Sequence, residues 1–397
     1  MNTQSCRLTP SATADRLPLS GLLALAAAGF ITILTEALPA GLLPQMSSDL
    51  GVSQALIGQL ITAYALGSLL AAIPLTLLTQ GWRRRPLLLS AVAGFALVNA
   101  VTALSSHYWL TLLARLLAGV FAGLLWALLA GYASRMVASH LQGRAIAIAM
   151  LGAPLALSLG IPLGTFLGSS FGWRLSFAIM TGLTLLLIGW VRWQVPDFPG
   201  QAASQRPPLR RVAGLPGVQA VLLVTFLYVL GHNILYTYIA PFLDPAGLAE
   251  RVDQVLLVFG LAALLGIWGT GLLIDRWLRP LTLTSCALFA GSAMALGLWS
   301  ASTVSIHVAV AVWGLSFGGL PALLQTALAK TAGEAADIAQ SMLVTVWNLA
   351  IAGGAMSGAL ALSGLGVGAL PWMVAALLAM ALLITVQARS NGFPARG

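Results

Sequence analysis

Residues 19–43 read LSGLLALAAAGFITILTEALPAGLL. The run is apolar throughout and long enough to cross a bilayer, which takes about 20 such residues. It holds one ionisable group, Glu36. A charge at membrane depth is costly and marks a functional site by default. A lone buried carboxylate suits a proton carrier. The bland alternative is a structural carboxylate that pairs with a buried cation and never titrates; the intramembrane rule favours the first reading.

Working outward from this run, the rest of the chain has the same character. Of its 397 residues 59% are hydrophobic and only 7% are charged. A soluble domain carries about 25% charged residues, so this composition implies an integral membrane protein. The apolar runs are continuous rather than alternating, which predicts helices and not a barrel. The net charge of +9 does not indicate nucleic acid, because the basic residues cluster at the ends of apolar runs. Cys6 and Cys286 offer neither a disulfide framework nor a metal spacing, and no cofactor is expected. Ala24-Leu25-Ala26 resembles a signal cleavage site, but the run continues far beyond it, so an uncleaved first span is expected.

Twelve spans are predicted, at 18–43, 56–78, 86–105, 108–132, 145–167, 175–191, 217–242, 254–274, 280–300, 305–328, 338–361 and 369–387. Even-to-odd connections and both tails hold Arg7, Arg16, Arg83, Arg84, Arg85, Arg135, Arg144, Arg192, Arg206, Arg210, Arg211, Arg276, Arg279, Lys330, Arg389 and Arg396. Arg174 and Arg251 fall on the other side, and Arg115 falls within a span. By the positive-inside rule both termini are cytoplasmic.

The Pro-rich stretch 194–216, with Arg210 and Arg211, reads as a linker that divides the chain nearly in half. The expected organisation is a cytoplasmic tail over 1–17, a six-helix bundle over 18–193, the linker, a second bundle over 217–387 and a tail over 388–397. Trp82-Arg83-Arg84-Arg85-Pro86-Leu87 after the second span has a weak counterpart in Trp277-Leu278-Arg279-Pro280-Leu281 after the eighth. Parallel repeats of this kind build transporters with a site between the halves.

With those features the chain resembles the major facilitator superfamily, in its twelve-span drug:proton antiporter branch. In that superfamily the loop after the second span carries a Gly, an Asp-Arg pair and a Gly-Arg-Arg/Lys ending. Here Arg84 and Arg85 match the ending, and Gln80 stands where the Asp is usual. The second copy keeps Gly271, Asp275, Arg276 and Arg279. The resemblance implies a cytoplasmic latch between helices, with Asp275 paired to a neighbouring helix or Arg. Arg115-Leu116-Leu117-Ala118-Gly119 in the fourth span resembles the branch's Arg-x-x-x-Gly signature. Gly152, Gly160-Ile161-Pro162-Leu163-Gly164 and Gly168 in the fifth resemble the antiporters' glycine-proline signature. Physically, small residues let helices approach and Pro162 loosens the helix; generic helix packing explains the glycines equally well.

Thr35-Glu36-Ala37-Leu38-Pro39-Ala40-Gly41-Leu42-Leu43 is similar to a segment of bacterial sugar efflux transporters. So is His232-Asn233-Ile234-Leu235-Tyr236-Thr237-Tyr238-Ile239-Ala240-Pro241-Phe242 in the seventh span. The resemblance implies a monomeric, proton-coupled exporter of a small polar solute, a sugar first, in the bacterial inner membrane. A nucleoside or multidrug antiporter of the same fold is the alternative.

Polar groups inside apolar spans are the candidate solute site: Tyr64, Trp126, His232, Asn233, Tyr236, Tyr238 and Asn348. A few placed polar groups in a mostly apolar pocket are usual for small solutes. Helix packing or interfacial anchoring is the competing account for each ring, and interhelical bonding for Asn348. His232 could join a proton relay or stay a neutral cavity residue; the second is favoured because Glu36 already supplies a carrier. Glu36 and Arg115 each lie about 10 Å below the outer surface at about 1.5 Å per residue, a shared depth that permits a pair.

Other classes fit poorly. Gly314-Leu315-Ser316-Phe317-Gly318 matches G-x-S-x-G but lies inside an apolar span, where no strand-to-helix elbow exists. There is no phosphate-binding G-x-x-x-x-G-K-S/T, and the only lysine is Lys330, which argues against an ATP-driven pump. A channel would need neither the Glu/Arg pair nor two halves.

Overall fold

The computed structural model describes residues 17–201, 207–248 and 251–393, apart from the side chains of Gln54, Ala55, Pro162 and Asp253. Most of the expected N-terminal tail, with Cys6, Arg7 and Arg16, lies outside the described residues. So do Arg206 of the expected linker and Arg396 of the C-terminal tail.

The described chain is helical, without strands. In order it forms α1 (Leu19–Gly41), α2 (Leu43–Leu50), α3 (Gln54–Leu78), α4 (Arg84–Leu104), α5 (Tyr108–Arg135), α6 (Gln142–Met150) and α7 (Gly152–Leu155). A π turn (Ala156–Gly160) leads into α8 (Ile161–Phe171), then α9 (Trp173–Gln194) and α10 (Leu209–Ala213). There follow α11 (Pro216–Thr237), α12 (Ile239–Leu243), α13 (Val252–Leu298), α14 (Thr303–Gly318), α15 (Leu320–Ala332), α16 (Ala336–Gly364) and α17 (Ala369–Gln387).

Among the described residues ten stretches are long and apolar enough to cross a membrane, two of them 45 and 62 residues long. A straight helix of the shorter of these would reach about 68 Å, over twice the hydrocarbon thickness of about 30 Å. It is not straight: α13 breaks at Trp277, where φ is −125° and ψ is 28°. The longer stretch is interrupted between α15 and α16 by Gly333, whose φ of +54° only glycine adopts cheaply. Some ends differ from the sequence reading. The seventh run breaks at Tyr238 rather than running to 242, and the tenth continues through α15 to Ala332. The third run ends at Leu104, one residue short of the reading, and Ser105–His107 separate it from α5.

Lipid tails are as apolar as leucine, so helices associate through close packing of small residues. Gly67, Gly119 and Gly123 bring α3 against α5; a Cβ on Gly119 would strike the Tyr64 carbonyl. Gly266, Gly314 and Gly318 do the same for α13 and α14. The G-x-S-x-G match is therefore a helix crossing. Its Ser316 accepts a hydrogen bond from the Tyr228 hydroxyl at 3.2 Å and donates to the Trp313 carbonyl at 2.8 Å. Gly152, Gly160 and Gly164 face α1 at Ala26, Phe30 and Leu38, and Gly168 faces Leu42 just beyond its end, which is the packing account of that signature. The π turn lies just ahead of Pro162, whose missing N–H interrupts the helical ladder there.

The buried apolar residues divide by sequence. One core draws on residues 212–393 and Ala147. Two others draw on residues 22–195, joined only by Ile267, Ala329 and Ala336 from later in the chain.

Candidate functional site: a buried polar cluster, an aromatic box and a charged closure

The closure lies where the basic loops gather. Hydrogen bonds and ion pairs between the earlier and later parts of the chain cluster at this end. Asp275 Oδ1 accepts from the backbone N–H of Gly143 at 2.7 Å and of Arg144 at 3.3 Å, and Oδ2 lies 3.5 Å from Arg144 Nε. A carboxylate on the exposed N–H groups of a helix N-terminus is a favourable arrangement. It ties α13 to the start of α6.

On the other side of the closure, where Gln80 replaces the usual Asp, the acid comes from elsewhere. Asp337 at the start of α16 sits 2.8 Å from Arg84 and 2.9 Å from Arg135. Arg84 and Asp337 are each about 1% exposed. The Arg84 contact is close but poorly aligned, since none of its guanidinium nitrogens makes a well-formed hydrogen bond. The sequence reading missed Asp337 because it stands one residue outside the run 338–361. Arg279 does something different from Asp275: it donates to the Thr385 and Val386 carbonyls at 2.8 and 2.9 Å, capping the end of α17. Gly271 faces Ala147, and Arg276 lines a cleft of about 1010 Å³ with Arg135, Arg144, Asp275, Lys330 and Glu334.

The first part of the expected linker is docked on this end. Asp197 Oδ2 accepts from Arg83 Nε at 2.6 Å and Oδ1 from the Arg85 N–H at 3.0 Å. Burial opposes the Asp197 charge, but these bonds outweigh it and hold the carboxyl below its ordinary range. Gln80 contributes its backbone carbonyl, which accepts from the Gln201 N–H at 2.8 Å.

The polar cluster lies between α1, α3, α4 and α5. Arg115 is fully buried, and its Nη2 donates to the Thr35 carbonyl at 2.5 Å and, more weakly, to the Glu36 carbonyl at 3.4 Å. The shared depth read from sequence is thus a real contact between α1 and α5. The guanidinium, however, binds backbone, and the Glu36 carboxylate makes no ion pair with it within 4.0 Å. Glu36 is half-buried. Arg115 lies 5.2 Å from the Tyr64 ring, whose hydroxyl donates to the Thr32 carbonyl at 3.1 Å. Tyr64 is therefore committed to α1 and is 2% exposed. Asn99 Nδ2 donates to Thr35 Oγ1 at 3.1 Å. Asn99 carried the same signal as Asn348, an amide inside an apolar run, and should have been read with it.

The aromatic box is built by α11, α13, α14 and α16. His232 stacks on Phe317 at 3.7 Å, lies 5.2 Å from Tyr236 and meets Trp313 edge-on at 5.3 Å. Phe259 closes the side at 5.7 Å, and Trp347 lies beyond Phe317. His232 is 8% exposed and its Nδ1 has no hydrogen-bond partner, whereas Tyr236 is 39% exposed. Asn233 and Asn348 are half-buried, and each amide donates to the carbonyl four residues back, Val229 or Val344. Neither bonds across to another helix. Tyr238 does, donating to the Ala355 carbonyl at 2.7 Å. Trp126 is half-buried against Gly29 of α1.

A family model described as the Major Facilitator Superfamily matches residues 25–355. The chain belongs to that superfamily. It is a multi-pass membrane transporter of small-molecule solutes and not an enzyme. The chain is 29% identical over 361 residues to the purine ribonucleoside efflux pump NepI of Escherichia coli (strain K12), covering 90% of this chain and 91% of that protein. Its fold is similar to that of the proton:xylose symporter XylE bound to 6-bromo-6-deoxy-D-glucose, with a TM-score of 0.77 at 15% identity, covering 94% of this chain and 95% of that one. It is also similar to the transporter FucP in the outward conformation, with a TM-score of 0.76 at 15% identity, covering 94% and 99%.

Proposed function

We propose that this protein is a proton-coupled exporter of a ribonucleoside-like solute, working by alternating access in the bacterial inner membrane. The observation that carries the reading is the cluster of half-buried Glu36 with the buried Arg115, Thr35 and Asn99. It holds a carboxylate at membrane depth beside a cation that does not neutralise it directly. Such a group can take a proton from one side and release it to the other as the halves rock.

The solute assignment has two supports. One is the likeness to a purine ribonucleoside efflux pump along nearly the whole chain. The other is the aromatic box on α11, α13, α14 and α16, two of which, α11 and α16, also carry the half-buried amides Asn233 and Asn348. A nucleoside has a flat base for the rings and a ribose for the amides. The sugar expected from the sequence is then one part of the solute. The test is transport in proteoliposomes with an imposed pH gradient, using labelled adenosine, ribose and a lipophilic cation. Uphill movement of adenosine alone supports the reading; uphill movement of ribose or the cation without adenosine overturns the solute class. Tyr236→Ala is expected to weaken adenosine binding by about 1–3 kcal/mol, the range for one lost base stack. Asn348→Ala is expected to weaken solute binding more than proton binding.

In this reading α13 and the stretch from α14 to α16 each cross twice, giving twelve spans in two six-helix bundles. The end carrying the closure is cytoplasmic, so the closed cytoplasmic end corresponds to an outward-facing state. Topology is tested with Cys6 and Cys286 replaced. A cysteine at Ala246 should label from outside intact cells, and one at Gly214 should not. The reverse result would sink the assignment.

A further inference from the structure

α1 contains a proline, Pro39, inside its helical span. A proline has no N–H, so the carbonyl four residues back loses its helical partner. That carbonyl is Thr35, the one that receives Arg115 Nη2. An unpaired carbonyl in a lipid-immersed helix must be satisfied by something else, and here the guanidinium does so. Arg115 keeps two further nitrogens, Nε and Nη1, buried and without partners.

We propose that Pro39 is a positioning residue for Arg115. It opens a neutral docking point on α1, so the guanidinium binds backbone and the Glu36 carboxylate stays unpaired and able to exchange its proton. The idea rests on the coupling role proposed for Glu36. With an alanine at position 39, the restored N–H competes for the Thr35 carbonyl. Arg115, still buried and under-bonded, then turns to the nearest strong acceptor, the Glu36 carboxylate. The titratable groups interacting with Glu36 are Arg115 of α5 and Tyr64 of α3, while α4 contributes the neutral Asn99 to the cluster. The helices α6 to α9 against α1 carry their charges near their ends, at Arg144, Arg174 and Arg192. α2 brings Asp49, which is paired with Arg174 and accepts from Trp173 Nε1. Among the described residues the ionisable side chains that interact with the guanidinium are Tyr64 and Glu36.

The test compares two replacements that differ by one hydrogen-bond donor. Pro39→Ala restores the N–H. Lactic acid placed at 39 by nonsense suppression has the alanine side chain but an ester oxygen, so it restores no donor. The measurement is the pH midpoint of proton release on solute binding in purified protein. Pro39→Ala is expected to move the midpoint down by about 1 to 3 pH units, the effect of an arginine reaching a carboxylate. The lactate variant is expected to keep the parent's midpoint. If both move alike, the bend and not the missing donor matters, and the proposal fails; if neither moves, it fails as well. A solved structure of Pro39→Ala separates this inference from the coupling role. Should Glu36→Gln release protons as the parent does, the coupling reading is wrong. The positioning is then decided by whether Arg115 lies on the Glu36 carboxylate, which supports it, or still on the Thr35 carbonyl, which overturns it.

Discussion

Glu36→Gln is expected to bind solute but to abolish uphill export. Each proton exchanged across a gradient of one pH unit supplies about 1.36 kcal/mol, which is about tenfold accumulation. A glutamine is nearly the same size and stays neutral, so solute contacts survive and the proton has no carrier. The accumulation ratio in proteoliposomes should therefore fall to about one, while equilibration down a solute gradient continues. Uphill export equal to the parent's would make Glu36 a structural residue. Arg115→Ala is the companion variant. Without the cation the carboxylate is harder to ionise, and the pH dependence of transport should move upward. The same variant leaves the Thr35 carbonyl unpaired in the helix, so some loss of folded protein accompanies it.

The second large effect is expected at Asp337. Removing one partner of a buried ion pair leaves an uncompensated charge and costs about 3–5 kcal/mol. In Asp337→Ala the charge left behind is Arg84, which is 1% exposed. Asp337→Ala should therefore disfavour the conformation closed at this end by about two to four orders of magnitude in population, since about 1.36 kcal/mol is tenfold. Spin-label distances between α5 and α16 at their ends near Arg135 report the change directly. Arg135→Ala removes the more exposed member, 28% against 2% for Asp337, and should have a much smaller effect. Unchanged distances in Asp337→Ala would mean that the triad is not what keeps this end closed. Gln80 is instructive here. The acid usual at that position is missing, yet the neighbouring Arg84 is not left unpaired, because a carboxylate from a distant helix fills the need.

What was legible in the sequence follows from local rules. Hydropathy and charge asymmetry identify membrane helices because lipid forbids unsatisfied backbone and charged side chains within a span. The same rule singled out Glu36 and Arg115 as soon as their runs were drawn. Family membership was readable in the Arg115–Gly119 and 271–279 segments, where residue type and spacing recur. Three decisions needed the tertiary structure. Whether Arg115 meets the Glu36 side chain or the α1 backbone depends on helix rotation and on a carbonyl freed by Pro39, neither of which has a signature in hydropathy. Which acid meets Arg84 and Arg135 depends on α16 reaching the ends of α4 and α5, a contact between residues 202 or more positions apart. The aromatic box draws His232, Phe259, Phe317 and Trp347 from four helices, and apolar rings scattered through apolar runs look alike until the helices pack. Composition and periodicity determine that a helix crosses the membrane; only packing decides which face of it meets which neighbour, because in lipid every face of such a helix is apolar enough to serve.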